Sequence, residues 1–293
     1  MDMLKLIEKK KRGEALTDAQ IHELIAAYVR HDIPDYQMSA FLMAVWFQGM
    51  TMPETLSLCD AMIRSGETMD LSSIEGIACD KHSSGGVGDK TTLVLAPLVS
   101  ACGAAVAKMS GRGLGHTGGT IDKLESIPGL RTDLDPDAFC RQVKEIRLAI
   151  SAQSGRLVPA DGMLYALRDV SGTVDSLPLI ASSIMSKKIA AGCGAILLDV
   201  KYGEGAFMRE RAQAEELCAC MKEIGRHFGR DVQTVLSDMN DPLGNAIGNI
   251  LEVKEAIMTL RGEGPQDLQE LCEEEGARSE ERRVGKECRS RWS

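Results

Sequence analysis

The feature of this sequence that most constrains its fold is an alternation of short apolar runs, glycine-containing loops and helical stretches. Apolar runs at residues 77–79, 104–107, 195–200 and 232–236 each precede a loop, and helical patterns then begin near residues 91, 120, 209 and 243. Parallel strands are joined by crossover connections that usually contain a helix. The alternation therefore predicts an α/β fold with a mostly parallel sheet covered by helices.

Two other parts of the chain have helical patterns with few strand signals. Thr17-Asp-Ala-Gln20 has the form of a capping box, and Pro34 and Pro53 can each lie in the first turn of a further helix. We predict a discontinuous all-helical domain made of residues 1–70 and 160–193. The α/β domain then comprises residues 71–159 and 194–277.

Composition excludes several classes of protein. The chain has 43 acidic and 34 basic residues, a net charge of −9 and only 4% aromatic residues, which is a poor composition for a nucleic-acid surface. The longest strictly apolar run, residues 40–47, is far shorter than the roughly 20 residues of a membrane span. The nine cysteines are scattered and odd in number, which indicates reduced thiols in a cytoplasmic protein.

Two glycine clusters carry the chemistry that can be seen in the residues themselves. Residues 80–90 contain three glycines and residues 111–119 contain five, each between a predicted strand and a predicted helix. Glycine lets successive backbone N–H groups turn toward one point, and the following helix N-terminus favours an anion. Neither cluster is a Walker loop or a dinucleotide fingerprint. Together they predict a phosphate site, to which lysines and hydroxyls contribute: Lys81, Ser83, Thr92, Lys108, Ser110 and Thr120.

The stretches DKHSSGGVGDK, AKMSGRGLGHTGGTIDKLESIPG and LLDVKYGEGAFM resemble those of the pyrimidine nucleoside phosphorylases, the group that includes thymidine phosphorylase. The resemblance runs from the N-terminus to about Glu270. It implies a pentosyltransferase of nucleoside salvage that converts uridine, thymidine or deoxyuridine to free base and (deoxy)ribose 1-phosphate. Family members continue into a third, α+β domain that this chain lacks. We expect residues 278–293, eight of whose last fourteen positions are charged, to be a disordered and foreign tail.

The resemblance also implies the residues of the site. Arg168 and Lys187 would stabilise the charge that builds on the leaving pyrimidine, and His82 would deliver a proton to it, so these three are the catalytic residues. The pyrimidine would be bound by Arg168, Ser183 and Lys187, of which the last two are four residues apart and share a helix face. Phosphate would be bound by Lys81, His82, Ser83, Thr92, Lys108, Ser110 and Thr120.

A potassium ion is a further implication of the resemblance, and no organic cofactor is expected. The positions that match the potassium ligands of relatives are Gly88, Lys90, Leu243, Ala246 and Glu255. Several relatives have threonine where this chain has Lys90, and a lysine ammonium would repel the ion unless only the backbone carbonyl of Lys90 binds it.

The expected partners are inorganic phosphate, a pyrimidine nucleoside and a second copy of the chain. We expect the homodimer to form through the N-terminal helices, where Phe41, Leu42, Val45 and Trp46 are apolar. Two alternatives remain open. One is a phosphoribosyltransferase of related fold, although its GTGGD-type loop is not matched by KHSSGG. The other is an inactive truncated fragment, or a phosphate or nucleoside binder without catalysis.

Overall fold

The computed structural model describes residues 2–84, 89–112 and 118–280. The chain divides into two compact units. The helical unit comprises residues 1–69, 154–191 and 219–229, and the α/β unit comprises residues 70–153, 192–218 and 230–293. Residues 219–229, which the sequence analysis assigned to the α/β domain, belong to the helical unit because Met221 and Ile224 are fully buried there.

Twelve helices and five strands occur within the described ranges. The helices are α1 (Met3–Lys11), α2 (Asp18–Val29), α3 (Asp35–Gln48), α4 (Met52–Arg64), α5 (Thr91–Ala101), α6 (Thr120–Glu125), α7 (Pro136–Ile146), α8 (Pro159–Ser171), α9 (Leu177–Ala190), α10 (Arg211–His227), α11 (Asn249–Leu260) and α12 (Gln266–Glu280). The strands are β1 (Ala78–Ser84), β2 (Ala105–Ser110), β3 (Leu148–Ala152), β4 (Ala195–Tyr202) and β5 (Asp231–Asp238).

The helical unit is built on caps that the sequence specifies. The predicted capping box at Thr17 and Gln20 is confirmed, and a second one joins Thr51 to Glu54 at the start of α4. These caps satisfy N–H groups that have no partner inside the helix. Helix α1 packs on α3, and α4 packs on both α2 and α9.

The apolar residues proposed for a dimer surface lie elsewhere than expected. Phe41, Leu42 and Val45 are buried inside the helical unit, so they are not available to a second copy of the chain. Trp46 is 40% exposed and Phe47 is 70% exposed. Because α3 places its apolar residues toward α1 and α8, the sequence pattern marked its core face rather than an interface.

The α/β unit contains one parallel sheet with the strand order β3-β2-β1-β4-β5. Strand β1 is therefore central. Helices α5 and α12 pack together, and the core cluster Leu95, Val99, Val106, Leu197 and Val235 joins α5 to the sheet. Helix α12 adds Leu268 and Cys272, which are fully buried with Val94 of α5.

Three element boundaries differ from the sequence-based predictions. Strand β1 continues to Ser84 instead of ending at Cys79, because it pairs with β4 along its whole length. Helix α11 begins at Asn249 rather than Leu243, since Gly244 and Gly248 have positive φ and open the preceding loop. Helix α12 includes residues 278–280, so the predicted disordered tail begins too early; residues 281–293 lie outside the described part.

Strand β3 was missed altogether. It is five residues long, half-buried and separated from α7 only by Arg147, whose left-handed conformation (φ 62°) ends that helix. An apolar run this short gives little signal beside a helix. Across the described residues no helix is long and apolar enough to cross a membrane, and the eight cysteines there are free thiols.

Candidate functional site

The centre of the α/β unit brings together polar side chains from β1 and from the segment that follows it. Lys81 and Ser83 lie on β1 rather than in a loop, and their side chains are in contact, with Lys81 Nζ donating to Ser83 Oγ over 2.6 Å. Side chains alternate across a strand, so these two share one face of the sheet. Both face Asp89, which lies between the end of β1 and α5.

Five of the seven predicted phosphate ligands converge on the carboxylate of Asp89. Lys81 Nζ is 2.8 Å from Oδ1, Ser83 Oγ is 3.1 Å from the same oxygen, and the backbone N–H of Thr92 donates to it over 3.2 Å. The other oxygen accepts from the hydroxyls of Thr92 and Thr120. Lys108 Nζ is 3.9 Å from that oxygen. The donors that were expected to bind an oxyanion therefore surround an oxyanion of the protein itself.

The two lysines of this group are held rigidly. Lys108 is 1% exposed and donates to the carbonyl oxygen of Lys81, while its ammonium lies 3.7 Å from Asp80. The Lys81 ammonium also contacts the carboxyl groups of Asp199 on β4 and Glu275 on α12, each over 3.4 Å. We call Lys81, Ser83, Asp89, Thr92, Lys108, Thr120, Asp199 and Glu275 the Asp89 cluster.

Burial and charge act in opposite directions on the acids of the Asp89 cluster. Burial opposes ionisation of Asp89, but Lys81 and Lys108 outweigh it and hold the pKa of that carboxyl well below its ordinary value. Burial likewise opposes ionisation of Asp199, where Lys201 and Lys81 prevail and the pKa is again lowered. At Glu275 burial prevails, and with the nearby Asp199 it raises the pKa well above the ordinary value. The nearby lysines therefore favour the charged form of Asp89 and Asp199, whereas burial favours the protonated form of Glu275.

The remaining two predicted phosphate ligands do not contact Asp89 in the same way. His82 lies between Lys81 and Ser83 on β1, so strand alternation directs it to the opposite face of the sheet. Ser110 ends β2, where its carbonyl oxygen accepts from the N–H of Gln153. The glycines at 85, 86 and 88 and residues 113–117 of the second cluster lie outside the described residues.

The predicted pyrimidine-binding residues lie in the helical unit. Ser183 and Lys187 are in contact on α9 as their spacing predicts, with Lys187 Nζ donating to Ser183 Oγ over 3.1 Å. The same ammonium donates to Asp161 of α8 over 2.7 Å and lies 5.3 Å from the ring centre of Tyr165. Lys187 keeps a side-chain exposure of 22%, which leaves its ammonium within reach of a ligand.

Arg168 is more enclosed than Lys187. Its guanidinium donates to the carbonyl oxygens of Thr173, Val174 and Leu179 over 3.3, 2.5 and 3.2 Å, and the residue is 3% exposed. Burial lowers the pKa of Arg168 from its ordinary value. In this arrangement Arg168 ties the C-terminal end of α8 to the start of α9.

The comparison with known protein families matches both parts of the chain. A sequence model described as the a/b domain of the glycosyl transferase family matches residues 75–274. A second, described as the helical bundle domain of the same family, matches residues 4–66.

The chain belongs to the glycosyl transferase family.

Curated relatives of this chain are pyrimidine-nucleoside phosphorylases. The protein from Geobacillus stearothermophilus is 61% identical over 272 residues, which cover 93% of this chain and 63% of the relative. The protein from Staphylococcus aureus (strain USA300) is 59% identical over 271 residues, which cover 92% of this chain and 63% of the relative. The chain thus spans less than two thirds of the length of these relatives.

A solved structure shares the fold of this chain. Anthranilate phosphoribosyltransferase from Thermus thermophilus superimposes with a TM-score of 0.75 over 98% of this chain and 93% of that one. Its sequence identity of 17% is low, so the match supports the fold alone. The helical bundle and parallel α/β sheet predicted from the sequence are confirmed.

Four residues of this site were not found by sequence reasoning: Asp89, Asp199, Lys201 and Glu275 on α12. Asp89 lies within the stretch DKHSSGGVGDK, where its position just before α5 is the only local signal. Asp199 and Lys201 lie within LLDVKYGEGAFM and form a buried ion pair of 2.7 Å on β4. Charged residues at alternate positions of a central strand are costly unless paired, so this pattern could have marked them.

The α/β unit also brings together most of the predicted potassium ligands, around the side-chain ammonium of Lys90. The carbonyl oxygens of Leu243 and Ala246 and a carboxylate oxygen of Glu255 are brought together. The Lys90 ammonium lies among them, at 2.6, 2.6 and 2.9 Å. Gly88, the fifth predicted position, lies outside the described residues. Because one cation already takes these oxygens, the residues present do not fit a potassium ion as well.

Proposed function

We propose that this chain carries the phosphate-binding and base-binding residues of a pyrimidine-nucleoside phosphorylase. The reaction would transfer the pentosyl group of uridine, thymidine or deoxyuridine from the pyrimidine to inorganic phosphate. The observation that carries the proposal is the convergence of five predicted phosphate ligands on one carboxylate. The identity of 59–61% to phosphorylases supports the same reaction class.

The Asp89 carboxylate stands in for two oxygens of the phosphate in this proposal. Lys81 and Lys108 supply positive charge, and the hydroxyls of Ser83, Thr92 and Thr120 supply neutral donors. The N-terminus of α5, an eleven-residue helix, adds a backbone N–H and the positive end of its dipole. A dianion has more oxygens and more charge than a carboxylate, so phosphate would displace Asp89 from these donors.

The bond changes follow from the substrates. A phosphate oxygen forms a bond to the anomeric carbon while the bond from that carbon to the pyrimidine nitrogen breaks, and its electron pair leaves with the base. The transition state then has oxocarbenium character at the sugar and negative charge on the base. The nucleophile is phosphate, so no side chain of the protein has to form a covalent intermediate. The chain's own residues bind, orient and stabilise charge.

Lys187 is the residue we propose to stabilise the leaving pyrimidine. Its ammonium is partly exposed, and Asp161 and Ser183 hold it in place. A positioned cation that meets charge as it develops lowers the barrier of the chemical step. Arg168 would then hold the loop between α8 and α9 in place. Its guanidinium would contact the base only if it left the three backbone carbonyl oxygens that it binds.

Three further proposals concern the role of His82, the cellular compartment and the oligomeric state. His82 would protonate the departing base, from the face of β1 opposite Lys81. The protein would act in the cytoplasm and as a homodimer. A dimer surface on the N-terminal helices would have to use exposed residues such as Trp46 and Phe47 instead of Phe41, Leu42 and Val45.

The phosphate half of the proposal is tested by calorimetric titration of inorganic phosphate into matched variants. Lys81→Ala removes a charge-assisted contact, so we expect phosphate affinity to fall about 10- to 150-fold. Lys144→Ala on α7 removes an exposed lysine of the same unit and should leave affinity unchanged. If the natural chain, Lys81→Ala and Lys144→Ala all bound phosphate with equal affinity, the Asp89 cluster would not be the phosphate site.

The base half is tested by chromatography of the free base released from uridine and thymidine. We expect release to require phosphate and to yield a sugar 1-phosphate. Lys187→Met should lower turnover about 100-fold while phosphate affinity changes little. Binding of phosphate and nucleoside without release would favour the non-catalytic binder. Transfer of a phosphoribosyl group from its diphosphate donor to an acceptor, with release of pyrophosphate, would favour the phosphoribosyltransferase.

A further inference from the structure

The loop between β5 and α11 encloses a positive charge that belongs to the chain itself. Lys90 is 6% exposed, and its ammonium donates to the carbonyl oxygens of Leu243 and Ala246 and to Glu255. A lysine ammonium has three donors, and all three are accounted for here. The partners lie 153, 156 and 165 residues away in sequence.

The oxygens around this ammonium form the kind of donor set that binds a hard monovalent cation. Carbonyl oxygens replace the hydration shell of such an ion, and one carboxylate balances its charge. The loop is shaped to present them. The N–H groups of Asn245 and Ala246 donate to the second oxygen of Glu255 over 2.7 and 2.8 Å. Gly244 has φ +65°, and a Cβ there would come within 2.6 Å of the Glu255 carboxylate, so only glycine fits.

We infer that the Lys90 ammonium replaces a bound monovalent cation in this chain. It supplies one positive charge and three directed donors at the place where the family resemblance implies a potassium ion. A second cation in the same oxygen set would be repelled by the ammonium and would find its ligands already used. The chain is therefore independent of potassium, and substitution of Lys90 by an oxygen-bearing residue creates a potassium site.

The Lys90 ammonium is covalently part of the chain, so it cannot dissociate from the α/β unit as a bound ion can. Lys90 directly precedes α5 and follows Asp89, so its three bonds fix the first turn of α5 to the loop before α11. Thr91 and Thr92 in that turn both contact Asp89. Lys90 thus acts as a positioning residue for the Asp89 cluster. The inference concerns ion binding and stability, so it can fail or succeed separately from the proposed nucleoside chemistry.

The test compares the natural chain with Lys90→Thr and Lys90→Met, each purified in potassium chloride. Melting temperatures are then measured in potassium chloride and in tetramethylammonium chloride at equal ionic strength, because the larger cation cannot enter the oxygen set. We expect the natural chain to melt at the same temperature in both salts. Lys90→Thr should be less stable in tetramethylammonium chloride and should gain about 3–6 °C in potassium chloride. Lys90→Met, which offers no oxygen, should be destabilised equally in both.

A direct binding measurement uses thallium(I) nitrate, since thallium(I) has the charge and nearly the size of potassium. Titration followed by thallium magnetic resonance should show one site in Lys90→Thr and none in the natural chain. Binding to the natural chain, or a potassium-dependent melting temperature in it, would overturn the inference. So would a Lys90→Thr protein that gains nothing from potassium or cannot be recovered even in its presence.

Discussion

Buried lysines serve different purposes in the two units of this molecule. In the helical unit, Lys10 lies 2.9 and 3.1 Å from the two carboxylate oxygens of Glu54, which also accept from the N–H groups of Leu16 and Thr51. In the α/β unit, Lys81 and Lys108 both lie near the single carboxylate of Asp89. The first arrangement is one cation for one anion, whereas in the second two cations lie near Asp89 and also near further carboxyl groups, those of Asp199, Glu275 and Asp80.

The backbone positions of the two anions sharpen the contrast. Glu54 is the third residue of α4 and completes its capping box, so its side chain cannot leave without damage to the helix. Asp89 belongs to neither a helix nor a strand. In both cases burial opposes ionisation and the partners lower the pKa below its ordinary value. A lowered pKa alone therefore does not separate a structural carboxylate from one that marks a ligand site; the two differ in that Glu54 caps a helix and Asp89 does not.

The largest effect should come from breaking the structural pair. Lys10→Met leaves the Glu54 charge buried without its cation, and we expect the free energy of unfolding to fall by about 3–5 kcal/mol. Urea denaturation measures the loss. Lys11→Met, an exposed neighbour on the same helix, should change it by less than about 0.5 kcal/mol. A loss below about 1 kcal/mol for Lys10→Met would show that the Lys10–Glu54 pair is not a structural pair of the kind proposed. Altered phosphate affinity in the same variant would also contradict a purely structural role.

A smaller effect, of opposite sign, is expected at Asp89. Asp89→Asn removes the charge that competes with phosphate for Lys81 and Lys108, so phosphate affinity should rise about tenfold, or about 1.4 kcal/mol. Calorimetry with inorganic phosphate measures it. Asp133→Asn, on the exposed surface of the same unit, is the matched control. Weaker phosphate binding in Asp89→Asn would mean that Asp89 supports the ligand instead of standing in its place.

Strand β1 shows how much of the fold can be predicted from the sequence alone. The apolar run at 77–79 located its start, but Lys81, His82, Ser83 and Ser84 are polar and look like a loop. Only their pairing with β4 makes them a strand, and that pairing joins residues more than 100 positions apart. The two glycine clusters pointed to the five residues that meet at Asp89, and the family resemblance implied the same five as phosphate ligands. It did not supply Asp89 itself or the contacts of Lys90, because both depend on packing between distant segments.

A pH-dependent effect is expected at Glu275, the buried acid on α12 in the Asp89 cluster. Burial raises the folded-state pKa of Glu275, so folding becomes less favourable as the pH rises from the unfolded pKa toward the folded one. Glu275→Gln has no such dependence. We expect its free energy of unfolding to exceed that of the natural chain at pH 8, and the difference to shrink as the pH falls toward 4. Urea denaturation across this pH range measures the difference, and a gain that is constant with pH would contradict the assignment.

The long sequence separations within the α/β unit also set the order in which it can assemble. Lys81 meets Asp199 after 118 residues, and Lys90 meets Glu255 after 165. On a ribosome, the first half of the sheet leaves the exit tunnel long before these carboxylates are synthesised, so both ammonium groups stay hydrated during that interval. Contacts of such high order form slowly, because a large loop must close before they stabilise anything. The contacts that complete the Asp89 cluster and the Lys90 site are thus expected to be among the last to form.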